Sequence, residues 1–157
     1  MIRHRSPSSR RQGGASAVEL ALILPILVAM MSAPLFLAIF YWHYTAAHKA
    51  AYDAARYLST ISEAEMRRPV LAVAARDTAA AIVNAEIAEL GFRDAPVKIA
   101  YGCGPANDCD GVVSQPLPAT ITVGVQLVVR DTFLRQIDTG EFGWSIAAVA
   151  TVRYTGK

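Results

Sequence analysis

The sequence is poor in the residues that usually do chemistry. It carries three histidines and two cysteines in 157 residues, and only 18% of it is charged. His4 lies in a basic N-terminal stretch, and His43 and His48 sit at the end of a long apolar run. No phosphate-binding glycine loop, nucleophile elbow, H-E-x-x-H or nucleic-acid-reading module is present. These absences argue against an enzyme, a cofactor, a metal centre and a small-molecule substrate. His43 and His48 are five apart and fall on different faces of a helix, a poor pair of ligands. Asn107, Asp108 and Asp110 fail as a calcium loop. A register with Gly111 at its sharp turn puts Ala106 first and Leu117 twelfth, where carboxylates are needed. Zinc fails too, for want of a C-x-x-C pair or a nearby histidine.

Charge is missing from two places. No acid precedes Glu19, although Arg3, Arg5, Arg10 and Arg11 do. No charge of either sign lies between Leu20 and Trp42, a run of 23 residues. At about 1.5 Å per residue that run spans roughly 34 Å, enough to cross a hydrocarbon core of roughly 30 Å. Pro25 and Pro34 each remove a backbone donor, so a kink or a looser turn is expected near the carbonyls of Ala21 and Met30. Arginines before the run set its N-terminal end in the cytoplasm and the rest of the chain outside, with Tyr41, Trp42 and Tyr44 as an aromatic belt. With a net charge of only +2, the arginines read as a topogenic signal before they read as a nucleic-acid arm.

The run is too long for the apolar region of an ordinary secretory signal, which is about 7–15 residues. The best small-residue cut, after Ala33, is poor because Met31 lies three back from the bond and Pro34 just after it. A different cut fits better. Gly14 is followed by Ala15, Ser16, Ala17, Val18 and Glu19, and then the apolar helix. This resembles the processing site of type IV prepilins, with a glycine, the scissile bond, and an acid fifth in the mature chain. A carboxylate at the edge of an apolar helix is costly unless it finds a partner. The resemblance implies that Glu19 pairs with the free amine of Ala15 in a neighbouring copy, each charge lowering the burial cost of the other.

Farther along, Ala46, Ala47, Ala50, Ala51, Ala54 and Ala55 favour continuation of the helix to about Ile61. Tyr44, His48, Ala51, Ala55 and Leu58 fall on one face at spacings of three and four. The stretch Gly14 to Pro25, GASAVELALILP, together with Ala50 to Ser59, AAYDAARYLS, is similar to the TadE-like family. That family comprises pilin-like components of the tight-adherence (Tad/Flp) pilus system. Pro25 matches the end of its first element, and Arg56 and Tyr57 the end of its second. The resemblance covers about Arg11 to Ser59, and at this length it implies a member without the large extra domain of TadG-type relatives. It implies a minor pilin, or pseudopilin, of the bacterial inner membrane, a single-pass protein with its C-terminal domain periplasmic or extracellular. Its partners are then the membrane, a pilin-type peptidase, and other pilus or assembly subunits, including copies of itself. The alternative is an uncleaved single-pass anchor displaying a small extracytoplasmic binding or sensor domain, which needs neither Gly14 nor Glu19.

The remainder reads as a small α+β unit. Ser62 and Glu65 form a capping-box pattern, and Pro69 offers a second helix start. A second helix to about Leu90 is expected, with Leu71, Ala75, Thr78, Ile82 and Ala85 on its buried face. Alternation predicts three strands of an antiparallel sheet, around Val97–Tyr101, Ile121–Arg130 and Trp144–Tyr154. Asp131 is expected to cap a short turn carrying Phe133, Leu134 and Ile137. Between the first two strands, Cys103 and Cys109 are expected to pair in a surface loop if that side of the membrane is oxidising. The expected organisation is a basic leader over 1–14, a transmembrane helix and its outward extension over 15–61, and the α+β domain over 62–157.

Overall fold

An uncharged run that flows into alanine-rich sequence leaves no signal to stop a helix, and none stops. In the computed structural model, which describes residues 13–89, 97–103, 118–129 and 143–156, helix α1 spans Gly13–Ser59 without interruption. Pro25 and Pro34 both lie within it, and neither ends it. It ends where hydroxyl side chains take over its last carbonyls. Ser59 Oγ donates to the Arg56 carbonyl at 2.7 Å, and Thr60 Oγ1 to that of Tyr57 at 2.8 Å.

Both helix starts read from the sequence are used, for two helices instead of one. Ser62 caps α2, Glu63–Met66, in a reciprocal capping box with Glu65. Hydrogen bonds from Ser62, its side chain first and its backbone second, hold the Glu65 carboxyl below the usual carboxylate range. Pro69 then opens α3, Pro69–Ala88. The strands are β1, Lys98–Cys103; β2, Thr120–Val129; and β3, Trp144–Arg153. They form one antiparallel sheet in the order β1-β2-β3, with Tyr101 opposite Val123 and Val125 opposite Ala148.

The C-terminal half of α1 is the core of this head. It lies across the inner face of β2 and β3, where Ile121, Val123, Val125, Leu127, Val129, Ile146 and Ala148 are all buried. Its other side meets α3. Ala47, Ala50, Ala51, Ala54 and Ala55 have no exposed surface at all. Side chains this small let sheet and helix approach α1 closely, so the core is close-packed without bulk. Helix α3 runs antiparallel to α1. Lys49 Nζ lies 3.0 Å from Glu86 near the end of α3, while Leu58 shares a groove with Ala72 and Arg76 near its start. Lys49 also lies 3.2 Å from Asp53; the hydrogen bonds to Glu86 and then Asp53 raise its pKa above the ordinary lysine value. At the β1 side, the Tyr101 hydroxyl donates to the Arg76 carbonyl at 3.4 Å.

Two expected faces are corrected. On α1, Ala51, Ala55 and Leu58 are buried as expected, but Tyr44 and His48 are exposed. The buried line enters instead through His43, Ala47, Ala50 and Ala54. Aromatic and histidine side chains suggested the wrong stripe because the sheet demands the smallest residues, not the most apolar. On α3 the buried positions are Ala72, Ala75, Ala79, Val83 and Ile87. Leu71, Thr78 and Ala85 are exposed and Ile82 is only half-buried, so of the expected face Ala75 alone is in the core. Apolar residues occur nearly all round α3, and periodicity alone does not choose among overlapping stripes. The sheet faces agree with the alternation, except that Trp144 is exposed at the start of its strand. The turn expected around Asp131, Phe133, Leu134 and Ile137 lies outside the described residues.

Candidate functional site

The N-terminal half of α1 stands clear of the head. From Ala17 to Met31 every residue is exposed, including Val18, Leu20, Leu22, Ile23 and Leu24. In water such a surface would be untenable; a continuous apolar exposure of this size marks a membrane or partner surface. The helix is long and apolar enough to cross a membrane, and little of its most apolar part is buried. One N-terminal apolar helix carrying a folded head fits a single-pass membrane protein.

The residues of the predicted processing site all fall at the tip of this rod. Gly14 and Ala15 belong to the first turn of α1, which contains no acid. Glu19 follows on the exposed surface, the only charged residue before Lys49 in the described part of the helix. The two adjacent glycines, Gly13 and Gly14, are the first residues of α1, so the predicted scissile bond lies where the chain enters the helix. Pro25 is exposed on the same rod.

Arg56 and Tyr57 lie some 40 residues away, at the other end of α1, and share no site with Glu19. Arg56 is exposed, whereas Tyr57 packs against the hydrophobic core. This second motif element therefore closes the head. Its neighbours are latched by the end of the chain: the Thr155 amide and hydroxyl both donate to the Ser59 carbonyl at 3.1 Å, and the Tyr154 hydroxyl donates to that of Ile61 at 2.8 Å. Tyr154 reaches it by folding back over Gly156, where a β-carbon would collide with the phenol. Burial pushes the phenols of Tyr101 and Tyr154 above the ordinary tyrosine value.

Cys103 ends β1 beside the groove formed by Leu58, Met66, Ala72 and Ile121, and it is not a free thiol. Cys109 lies outside the described residues, as do Asn107, Asp108 and Asp110. Among the described residues no cluster of three metal-ligating side chains occurs. His43 and His48 do point apart. His43 is buried, its Nδ1 donating to the Ile39 carbonyl at 2.5 Å, while His48 is exposed.

One arrangement escaped the sequence reading. Trp144, at the foot of β3, packs edge-on against Phe36 and Phe40, with centroids 5.1 and 6.0 Å away and planes at 88° and 81°. Phe36 and Phe40 are four apart and so share a helix face, a signal hidden within a uniformly apolar run.

Comparison with known proteins places the first of these features. No curated protein and no solved structure matches the chain. The TadE family model, described as TadE-like protein, matches residues 14–56, which takes in the exposed rod with Glu19 and the α1 half of the head core. Over Gly14 to Arg56 the chain is therefore similar to the TadE-like family, the resemblance its two sequence elements suggested.

Proposed function

We propose that the protein is a pilin-like subunit of a tight-adherence pilus system, a structural and assembly component without catalytic activity. The observation that carries this reading is the charge pattern of the family-matched helix: one exposed acid, Glu19, heading an apolar rod that no part of the head covers over residues 17–31. The basic stretch 1–14 is a leader, removed by a pilin-type peptidase after Gly14. Residues 15–61 form the membrane helix and its extension, and 62–157 the domain it carries. The N-terminal side faces the cytoplasm and the head the periplasm or exterior of a bacterial inner membrane, following the arginines.

Removal of the leader creates an ammonium on Ala15. The Glu19 carboxylate of an adjacent copy neutralises it as the rods pack together, and the apolar rods supply the contact around the pair. Past the end of β1, Cys103 and Cys109 pair and pin a short surface loop, a local restraint because the closed loop is short.

Intact-mass measurement of the chain, expressed with and without a pilin-type peptidase, tests the processing. The expected species begins at Ala15 only when the peptidase is present. A chain still starting at Met1, or cut near Ala33, removes the claim and favours the uncleaved anchor. The second measurement concerns Glu19 alone. Glu19→Gln keeps the helix and the shape, yet is expected to abolish incorporation into pili, and normal incorporation would refute the pairing.

A further inference from the structure

We propose that the head is seated in the outer interface of the bilayer on one side of its own membrane helix, with Trp144 in contact with lipid. This rests on the reading of α1 as a membrane helix.

Burial on α1 begins well inside the apolar run. Ser32 and Phe36, one turn apart, are 7% and 5% exposed, and His43 follows at 5%. Trp144 packs edge-on against both Phe36 and Phe40, so it stands level with them on the helix axis. Six residues separate Phe36 from Trp42, which is about 9 Å along the axis. If lipid reaches the exposed Tyr41 and Trp42, as their interfacial chemistry favours, the foot of the head lies at or below the same level.

The chemistry of the foot suits that position. Trp144 leaves 42% of its surface uncovered, next to an apolar stretch of helix in which Leu37 and Ile39 are also exposed. Its sheet partner is Val129, and it is preceded by Gly143, whose φ of 72° lies in the left-handed region that other residues rarely adopt. Among the described residues, no charged side chain occurs on α1 between Glu19 and Lys49, or on β2 and β3 before Arg153. Among the described residues, the charges nearest this end beyond those elements are Lys98 on β1, opposite Gln126, and Glu86 and Glu89 at the end of α3. An amphipathic indole held against a membrane helix, with Arg130 and Glu141 close by in sequence, is matched to the boundary between headgroups and acyl chains and not to the acyl interior. The lipid-facing length of α1 is therefore unequal. It extends to Trp42 on one side and is replaced by the head from about Ser32 on the other.

The protein has two tryptophans, so each can be observed alone. The full-length chain is reconstituted in phosphatidylcholine vesicles as Trp42→Phe, which leaves Trp144, and as Trp144→Phe, which leaves Trp42. Emission is compared in ordinary lipid, in lipid brominated high on its acyl chains, and with acrylamide in the water. Trp144 is expected to lose most of its emission in brominated lipid, at least as much as Trp42 does, and to resist acrylamide. Loss of Trp42 emission with Trp144 unchanged by brominated lipid would overturn this inference and leave the membrane helix intact. Protection of Trp144 from both quenchers would put protein over it and also overturn the proposal. If neither tryptophan responds to brominated lipid, the membrane reading itself fails.

Discussion

Tyr154 shows how much one side chain does at the closing of this head. Its hydroxyl satisfies the Ile61 carbonyl just beyond α1, and its ring is partly buried against the core. Tyr154→Phe keeps the ring and deletes the hydrogen bond, and is expected to cost about 0.5–1.5 kcal/mol of head stability. A thermal melt in detergent, followed by circular dichroism, checks the loss. The same residue sets a pH dependence. Burial raises the phenol pKa of Tyr101 and Tyr154 in the folded state, so folding favours the protonated form. The stability this confers is complete below the unfolded value of about 10 and declines as pH rises through the folded values. The melting temperature is therefore expected to fall above pH of about 10, and less steeply in the Tyr154→Phe chain. Lys49 offers a contrast. Lys49 is itself exposed, although the Asp53 and Glu86 carboxylates it pairs with are half-buried, and Lys49→Ala is expected to lower the same melt only slightly.

At the scale of elements, α1 and α3 show what a sequence read alone discloses and what it does not. The existence of α1, the start signals at Ser62 and Pro69, and all three strands were legible because each depends on local chemistry: apolar length, caps and alternation. Which face of each helix is buried depends instead on the partner. Along α1 the choice lay between a stripe with Tyr44 and His48 and one made almost wholly of alanine, and the flat sheet face selected the second. The spacing from Gly14 to Glu19, on which the proposed processing rests, is a local pattern of the same kind. The Phe36–Phe40–Trp144 contact was not, since it joins residues more than a hundred apart. The alanine face yields its own test. Ala54 is fully buried, and Ala54→Leu forces a larger side chain between α1 and its neighbours. Overpacking of this kind costs about 1–3 kcal/mol. A lower melting temperature with the helical signal of the rod retained is the expected outcome, whereas Ala46→Leu, at a half-buried position, is expected to have a smaller effect.

For the whole molecule, a single helix belongs to two environments. Its first half has its apolar surface uncovered and matches the TadE-like family; its second half is the most deeply buried part of the head and matches as well, through Arg56. The family-matched segment thus holds both the uncovered apolar stem and the core of the head, and the sheet and α3 are built onto it.

The absence of any hinge between these halves has a mechanical consequence. A head on a flexible tether can turn freely whatever its anchor does, but here stem and head share one backbone, Gly13–Ser59. Each residue of an α-helix advances the chain about 1.5 Å and turns it about 100°. A single residue added or removed between Glu19 and Ser32 would therefore swing the entire head by more than a quarter turn about the stem. Under the proposed packing of rods through Glu19, the side of the head shown to the outside would be fixed by the azimuth of that residue, much as the key on a shaft fixes the position of a wheel.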